Sequence, residues 1–398
     1  MINKNFTLLW LGKIISQLGD KFYGIALAWW ILKQTDSPSV MGFFLLLSAL
    51  PAILFGFFSG ALTDRTKRKT MLIVTDVIRG ALTLAVTGLS LAGLLEVWQV
   101  FVIGFCLSVT TAFYEPAVQA IIPDMVPAEK LPKANGLSQM VSGVCTVAGP
   151  LLGALTVSLF GITSVFFANS VSYLISALLS SFLTAAQPLK TAPKGGNLLR
   201  DICEGIRFVK NQRKITQVLK VIATAHLFMG GLSVLLPFLA NGLTGSGVNN
   251  LGALEMMMGV GLITGSVLMG IRKTASVTAR PLFYLIAAMG AGFLGISVLQ
   301  LLTVQTVYPY LPVMVGVGAS VACASVLWQS LLQRSTPPEM AGRVFGLSTL
   351  IANTSLPLAN ALFGVLLGVT SISLLAALCG VGLVLVCVIL LLQKNYDT

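Results

Sequence analysis

Charge is what this chain has least of. Only 10% of its 398 residues are Asp, Glu, Lys or Arg, against about a quarter in soluble domains, which excludes a water-exposed globular fold. There is one histidine, and Cys106, Cys145, Cys203, Cys323, Cys379 and Cys387 are scattered without metal-ligand spacing. A metal centre and a Ser–His–Asp constellation are therefore not expected, which leaves a membrane-embedded enzyme as a remote alternative. No Walker A loop occurs, so nucleotide-driven chemistry by this chain alone is not expected, and no cofactor is implied. A cleavable signal is missing too: Met1–Thr7 is short and polar, and the helix that follows is too long and too polar for an h-region.

Long apolar runs are what the chain does have. A hydrocarbon core of about 30 Å needs roughly 20 apolar residues per helix, and segments such as Met71–Gly93 and Ile372–Leu392 meet that length. The reading is twelve transmembrane helices, at 8–32, 40–62, 70–94, 97–120, 136–160, 162–186, 215–240, 250–271, 280–303, 306–331, 344–368 and 371–393. Basic residues fill every second gap between them: Arg65 to Lys69, Lys130 and Lys133, Arg272 to Arg280, Arg334 and Arg343. The other gaps offer only Lys33. Short basic loops stay cytoplasmic, so both termini are expected inside. The net charge of +12 follows from that topology and needs no nucleic-acid partner.

Residues 187–214 form the only long polar stretch and carry Leu198, Ile202, Ile206 and Val209 at helical spacing, which predicts an amphipathic helix on the cytoplasmic membrane surface. It separates a bundle over 1–186 from another over 215–398. The halves repeat each other. Val126-Pro-Ala-Glu129 matches Thr336-Pro-Pro-Glu339, Gly136-Leu-Ser138 matches Gly346-Leu-Ser348, and Gln119 matches Gln329, all at an offset of about 210. Two parallel six-helix repeats around a cavity near the bilayer midplane are expected.

Gly60-Ala-Leu-Thr-Asp64-Arg65-Thr-Lys67-Arg68-Lys69 resembles the loop between helices two and three of the major facilitator superfamily, with Lys67 where glycine is usual. Gly149-Pro150-Leu-Leu-Gly153-Ala154 resembles the antiporter motif of that superfamily's exporters, with Ala154 for the last glycine. Phe113-Tyr-Glu-Pro-Ala, Ala134-Asn-Gly-Leu and Asp201-Ile-Cys-Glu-Gly-Ile-Arg-Phe-Val resemble the branch of macrolide efflux proteins and related drug–proton antiporters. The resemblance implies an all-α, pseudo-symmetric major facilitator fold in a bacterial-type inner membrane, acting as a monomer. It further implies export of bulky amphiphilic small molecules by proton antiport and alternating access. A lysophospholipid-type flippase or a siderophore exporter would carry the same motifs. Gly60, Asp64, Arg65 and Arg68 become a cytoplasmic latch, with Asp64 against the positive N-terminus of helix eleven.

Ionisable groups inside the membrane cost about 2.5–3.5 kcal/mol each and mark candidate sites. Asp20 lies near the middle of helix one, on a polar stripe with Lys13, Ser16, Gln17 and Tyr23, where it carries a proton or pairs with Lys13 or Lys21. His226 lies about 206 residues further on, which suggests an equivalent depth on helix seven. Glu255 is a third proton-coupling candidate, near the outer end of helix eight. Asp76 and Arg79 are spaced for a local pair, with an inner-gate role as the alternative, and Glu115 reads as a gate contact near the inner end of helix four. Tyr23, Trp29, Trp30, Gln17, Gln139, Trp328, Gln329 and Asn353 complete the candidate substrate cavity.

Overall fold

A computed structural model describes residues 3–184, 206–271 and 280–392. Among these residues the long elements are helices, numbered here α1 (Lys4–Thr35), α2 (Pro38–Arg65), α3 (Arg68–Leu91), α4 (Val97–Met125), α5 (Leu131–Phe160), α6 (Ile162–Ser181), α7 (Arg213–Gly242), α8 (Gly247–Ile271), α9 (Arg280–Leu301), α10 (Tyr310–Ser335), α11 (Pro338–Val369) and α12 (Ile372–Leu392). Eleven are long and apolar enough to cross a bilayer. The exception is α1, whose apolar run is broken by Lys13, Asp20 and Lys21.

Several helices outrun the apolar stretches that announce them. The α1 helix starts at Lys4, α4 continues to Met125, and α5 and α11 begin at Leu131 and Pro338. Hydropathy marks only the part a bilayer must cover, whereas backbone hydrogen bonding carries on through polar residues once a helix is nucleated. The α1 start is fixed by Asn3, whose side chain accepts from Phe6 N at 2.8 Å and donates to Met125 O at 2.6 Å. A single residue, Gly161 with φ 81°, joins α5 to α6, a conformation that suits glycine. Of the expected amphipathic helix at 197–214, residues 206–211 are helical and most of the remainder lies outside the described residues.

The chain divides into two compact units, Met1–Asp36 with Phe44–Lys194, and Ser37–Phe43 with Gly195–Thr398. In the first, α1 packs on α5 and α6, and α3 on α4 and α6; in the second, α7 packs on α11 and α12, and α9 on α10 and α12. The same packing twice is what an internal repeat produces. Many buried positions correspond: Asp76, Arg79, Gly80 and Thr83 of α3 with Ile286, Met289, Gly290 and Phe293 of α9. On α4 and α10, Thr110, Ala112, Tyr114 and Ala117 correspond to Ser320, Ala322, Ala324 and Leu327.

The register of α1 against α7 differs from the sequence expectation. Lys21 is the residue approached by Gly149, and Gly230 the residue approached by Ala359; Phe22 meets Gly153 as Gly231 meets Phe363. In that register the counterpart of Asp20 is Met229, and His226 corresponds to Gln17. His226 therefore sits one helical turn away from the level equivalent to Asp20.

Candidate functional site

A charged and hydroxyl-rich cluster occupies the interior of the first unit. Asp76 and Arg79 are one turn apart on α3, both almost fully buried, with Nη1 3.5 Å from Oδ1. Two buried opposite charges survive in such a place only when hydrogen bonds satisfy what the pair leaves over. Ser176 of α6 donates to Asp76 Oδ2 at 2.7 Å. Arg79 donates to Thr110 at 3.3 Å and Thr111 at 2.8 Å on α4, and lies 4.3 Å from the centre of the Tyr114 ring. A guanidinium over an aromatic face adds electrostatic attraction to the ring quadrupole. Its other side faces Tyr173 of α6 at 5.4 Å.

Tyr173 links this pair to Asp20. Its hydroxyl donates to Asp20 Oδ1, while Asp20 is otherwise exposed, and a side chain added at Gly24, one turn along, would meet nothing within 4 Å. The carboxylate of Asp20 is thus reached by Tyr173, where pairing with Lys13 or Lys21 was the alternative to a proton-carrying role. Arg79 and Lys21 attract it through space and Glu115 repels it. Glu115 stands ten residues before the end of α4, about 15 Å at 1.5 Å per residue, so it belongs to the level of this cluster and not to the helix end. Among the described residues no group of three or more His, Cys, Asp and Glu could hold a metal ion.

The polar stripe of α1 splits in two. Ser16 and Tyr23 are buried, Tyr23 with its ring 5.5 Å from Phe166 of α6, whereas Asp20 is exposed and Lys13 and Gln17 are half-buried. Ser142 of α5 donates to Gln17 at 3.2 Å. Trp30 is 7% exposed, too enclosed to line an open cavity, and Trp29 lies under Lys33 at 4.7 Å. Glu255 is half-buried on α8. Gln329 and Asn353 are exposed. His226 and Trp328 are brought together, in a cavity of the second unit. The side chains of Gly60, Asp64, Arg65 and Gln139 lie outside the described residues. Arg68 donates to Asp124 Oδ2 at 2.6 Å and to Ala120 O at 2.8 Å, tying the start of α3 to the end of α4.

Gly149 and Gly153 set how closely α5 approaches α1. A Cβ at Gly153 would lie 2.8 Å from Phe22 Cα, and one at Gly149 would collide with Lys21 Cβ. The two contacts lie one and two residues beyond Asp20. Pro150 between them sits inside α5 and lacks the backbone N–H that a helix interior uses. Gly153→Val is expected to push the helices apart at a cost of about 1–3 kcal/mol, the range for overpacking. A lowered unfolding temperature in detergent checks this; an unchanged one would show that α5 yields without strain.

Sequence reasoning missed Tyr114, Tyr173 and Ser176. A signal was present: Asn169, Ser172, Tyr173, Ser176 and Ser180 form a polar stripe at helical spacing on an apolar helix, and all are buried. That pattern places the polar face of α6 inward.

The family model for transmembrane secretion effectors matches residues 1–396. Macrolide efflux protein A of Streptococcus pyogenes is 25% identical over 96% of this chain and 95% of its own length. Enterobactin exporter EntS of Escherichia coli O1:K1 is 25% identical over 97% of this chain and 91% of its own. Among solved structures, a mutant of the nucleoside transporter NupG superposes with a TM-score of 0.77 at 12% identity, covering 98% of this chain and all of that one, a likeness of fold. Eleven apolar helices, a duplicated helical bundle and a family match along nearly the whole length converge: the chain belongs to the transmembrane secretion effector family of the major facilitator superfamily, and it resembles macrolide efflux proteins.

Proposed function

We propose that this protein is a secondary exporter of bulky amphiphilic small molecules, driven by proton antiport through alternating access. It works as a monomer in a bacterial inner membrane with both termini in the cytoplasm, and has no enzymatic activity. The observation that carries this reading is the link from Asp20, at membrane depth on α1, to the buried Asp76–Arg79 pair through Tyr173. An ionisable group held at membrane depth needs a compensating role. In this reading Asp20 takes up and releases the proton while Asp76 stays paired with Arg79. Glu255 and His226 serve as accessory groups. The loop Gly60–Lys69, with Arg68 anchored on Asp124, acts as the cytoplasmic latch.

The substrate class is drawn from the macrolide efflux relative. A second reading, export of a siderophore, is favoured by the likeness to the enterobactin exporter. Inside-out vesicles separate them. With an imposed proton gradient, a labelled macrolide is expected to accumulate and labelled enterobactin is not. Accumulation of the siderophore alone would transfer the assignment to the second reading, and accumulation of neither would remove both.

A further inference from the structure

The repeat has diverged inside, and the divergence opens a site in the second unit. In the first unit the space between α1, α3 and α4 is filled by Arg79 stacked on Tyr114. Their counterparts in the second unit are Met289 and Ala324, and Asp20 and Asp76 correspond to Met229 and Ile286. Shortening a tyrosine to an alanine and replacing a guanidinium by a thioether removes both volume and charge. The result is a cavity of about 240 Å³ bounded by α7, α8, α9, α10 and α11, with Met229, Met258, Met289, Trp328 and His226 in its wall.

We infer that this cavity is a binding site for a neutral two-ring aromatic group carrying one hydroxyl or N–H donor. The inference rests on the export reading for its role as the site of a substrate's apolar portion. Size is the first reason. A dry apolar cavity of roughly 150 Å³ holds one benzene, so about 240 Å³ suits a fused pair of rings. Lining is the second. Thioethers make favourable contacts with aromatic rings and adapt to their outline, and an indole offers a face for offset stacking. The hydrogen-bonding polarity of His226 is the third. Its Nδ1 lies 2.8 Å from Ile222 O, and since a carbonyl oxygen can only accept, Nδ1 bears the hydrogen. In the neutral ring Nε2 is then the acceptor. At Nε2 of His226 a ligand donor is therefore preferred over an acceptor, while the hydroxyls of Ser233 and Ser325 in the same wall can serve either.

The test uses the full-length protein in detergent, with no gradient, and follows binding of 2-naphthol and of naphthalene by saturable change in tryptophan fluorescence. 2-Naphthol is expected to bind at least about tenfold more tightly than naphthalene, a difference equivalent to about 1.4 kcal/mol. Ala324→Phe restores a ring where the first unit has Tyr114, and is expected to abolish binding of both probes. His226→Leu is expected to equalise the two affinities, and it serves as the deciding variant if Ala324→Phe does not fold. Absence of saturable binding to the wild type, unchanged binding in folded Ala324→Phe, or an unchanged preference in His226→Leu would each overturn the inference. Because no transport is measured, failure of the export reading would leave this result standing, and failure here would leave transport unaffected.

Discussion

Asp20→Asn is expected to lower proton-gradient-driven export to the background of vesicles without the protein, while the chain still folds. Asparagine preserves the side chain's size, and its amide oxygen can still accept from the Tyr173 hydroxyl that reaches Asp20 in the wild type. What it loses is the ability to take up and release a proton. Asp20 is an exposed residue whose carboxylate accepts from Tyr173, whereas Asp76 is enclosed and paired with Arg79. Removing Asp20 should leave the α1–α6 packing through Gly12 and Gly19 in place, and the unfolding temperature close to that of the wild type. A folded Asp20→Asn protein that still concentrates substrate against its gradient at the wild-type rate would eliminate Asp20 as the obligatory carrier and direct attention to Glu255.

The second large effect is on stability. Arg79→Met removes the cation from a carboxylate that has no exposed surface, and breaking a buried ion pair from one side costs about 3–5 kcal/mol. Ser176 alone would remain to serve Asp76. Thr110 and Thr111 keep their own bonds to Leu107 O, so the loss is concentrated on the carboxylate. The repeat supplies the compensating change. At the same two positions α9 carries Ile286 and Met289, both buried. The double variant Asp76→Ile with Arg79→Met is expected to recover most of the lost stability, since apolar residues often replace a buried ion pair without penalty. It is expected to remain inactive, because Asp20 would then have lost its neighbouring charge. Thermal unfolding of the three proteins in detergent decides this: a single variant as stable as wild type, or a double variant less stable than the single, would contradict the electrostatic account of the cluster.

Much of the fold was readable because the bilayer imposes a length. Runs such as Ile372–Leu392 can be little other than membrane-spanning helices. The Asp76–Arg79 pair was also readable, being spaced one turn apart on one helix. Contacts between distant helices were harder. Tyr173 lies far along the chain from Asp20, and no local periodicity says which helices meet; only the inward polar stripe of α6 hinted that it faced something charged. Asp20 and His226 looked like symmetry mates because their separation of about 206 was accepted as close to the motif offset of about 210, although that difference is about one helical turn. Glycine contacts set the true register, since the small residues of α1, α5 and α7 must meet their partners at fixed heights. Tyr23 and Trp30 were assigned to an open cavity on their aromatic character, yet both pack inward, as large rings in helices do when a neighbouring helix can cover them.

Proton movement coupled to substrate is the central claim, and it can be measured in proteoliposomes carrying a pH-sensitive dye in the lumen. With the substrate identified in vesicles added on one side and no imposed gradient, wild-type protein is expected to move protons opposite to the substrate's flow. Asp20→Asn protein, folded and reconstituted at the same density, is expected to give no proton signal. Substrate flux through the wild type at its full rate without any accompanying change in lumenal pH would contradict the account.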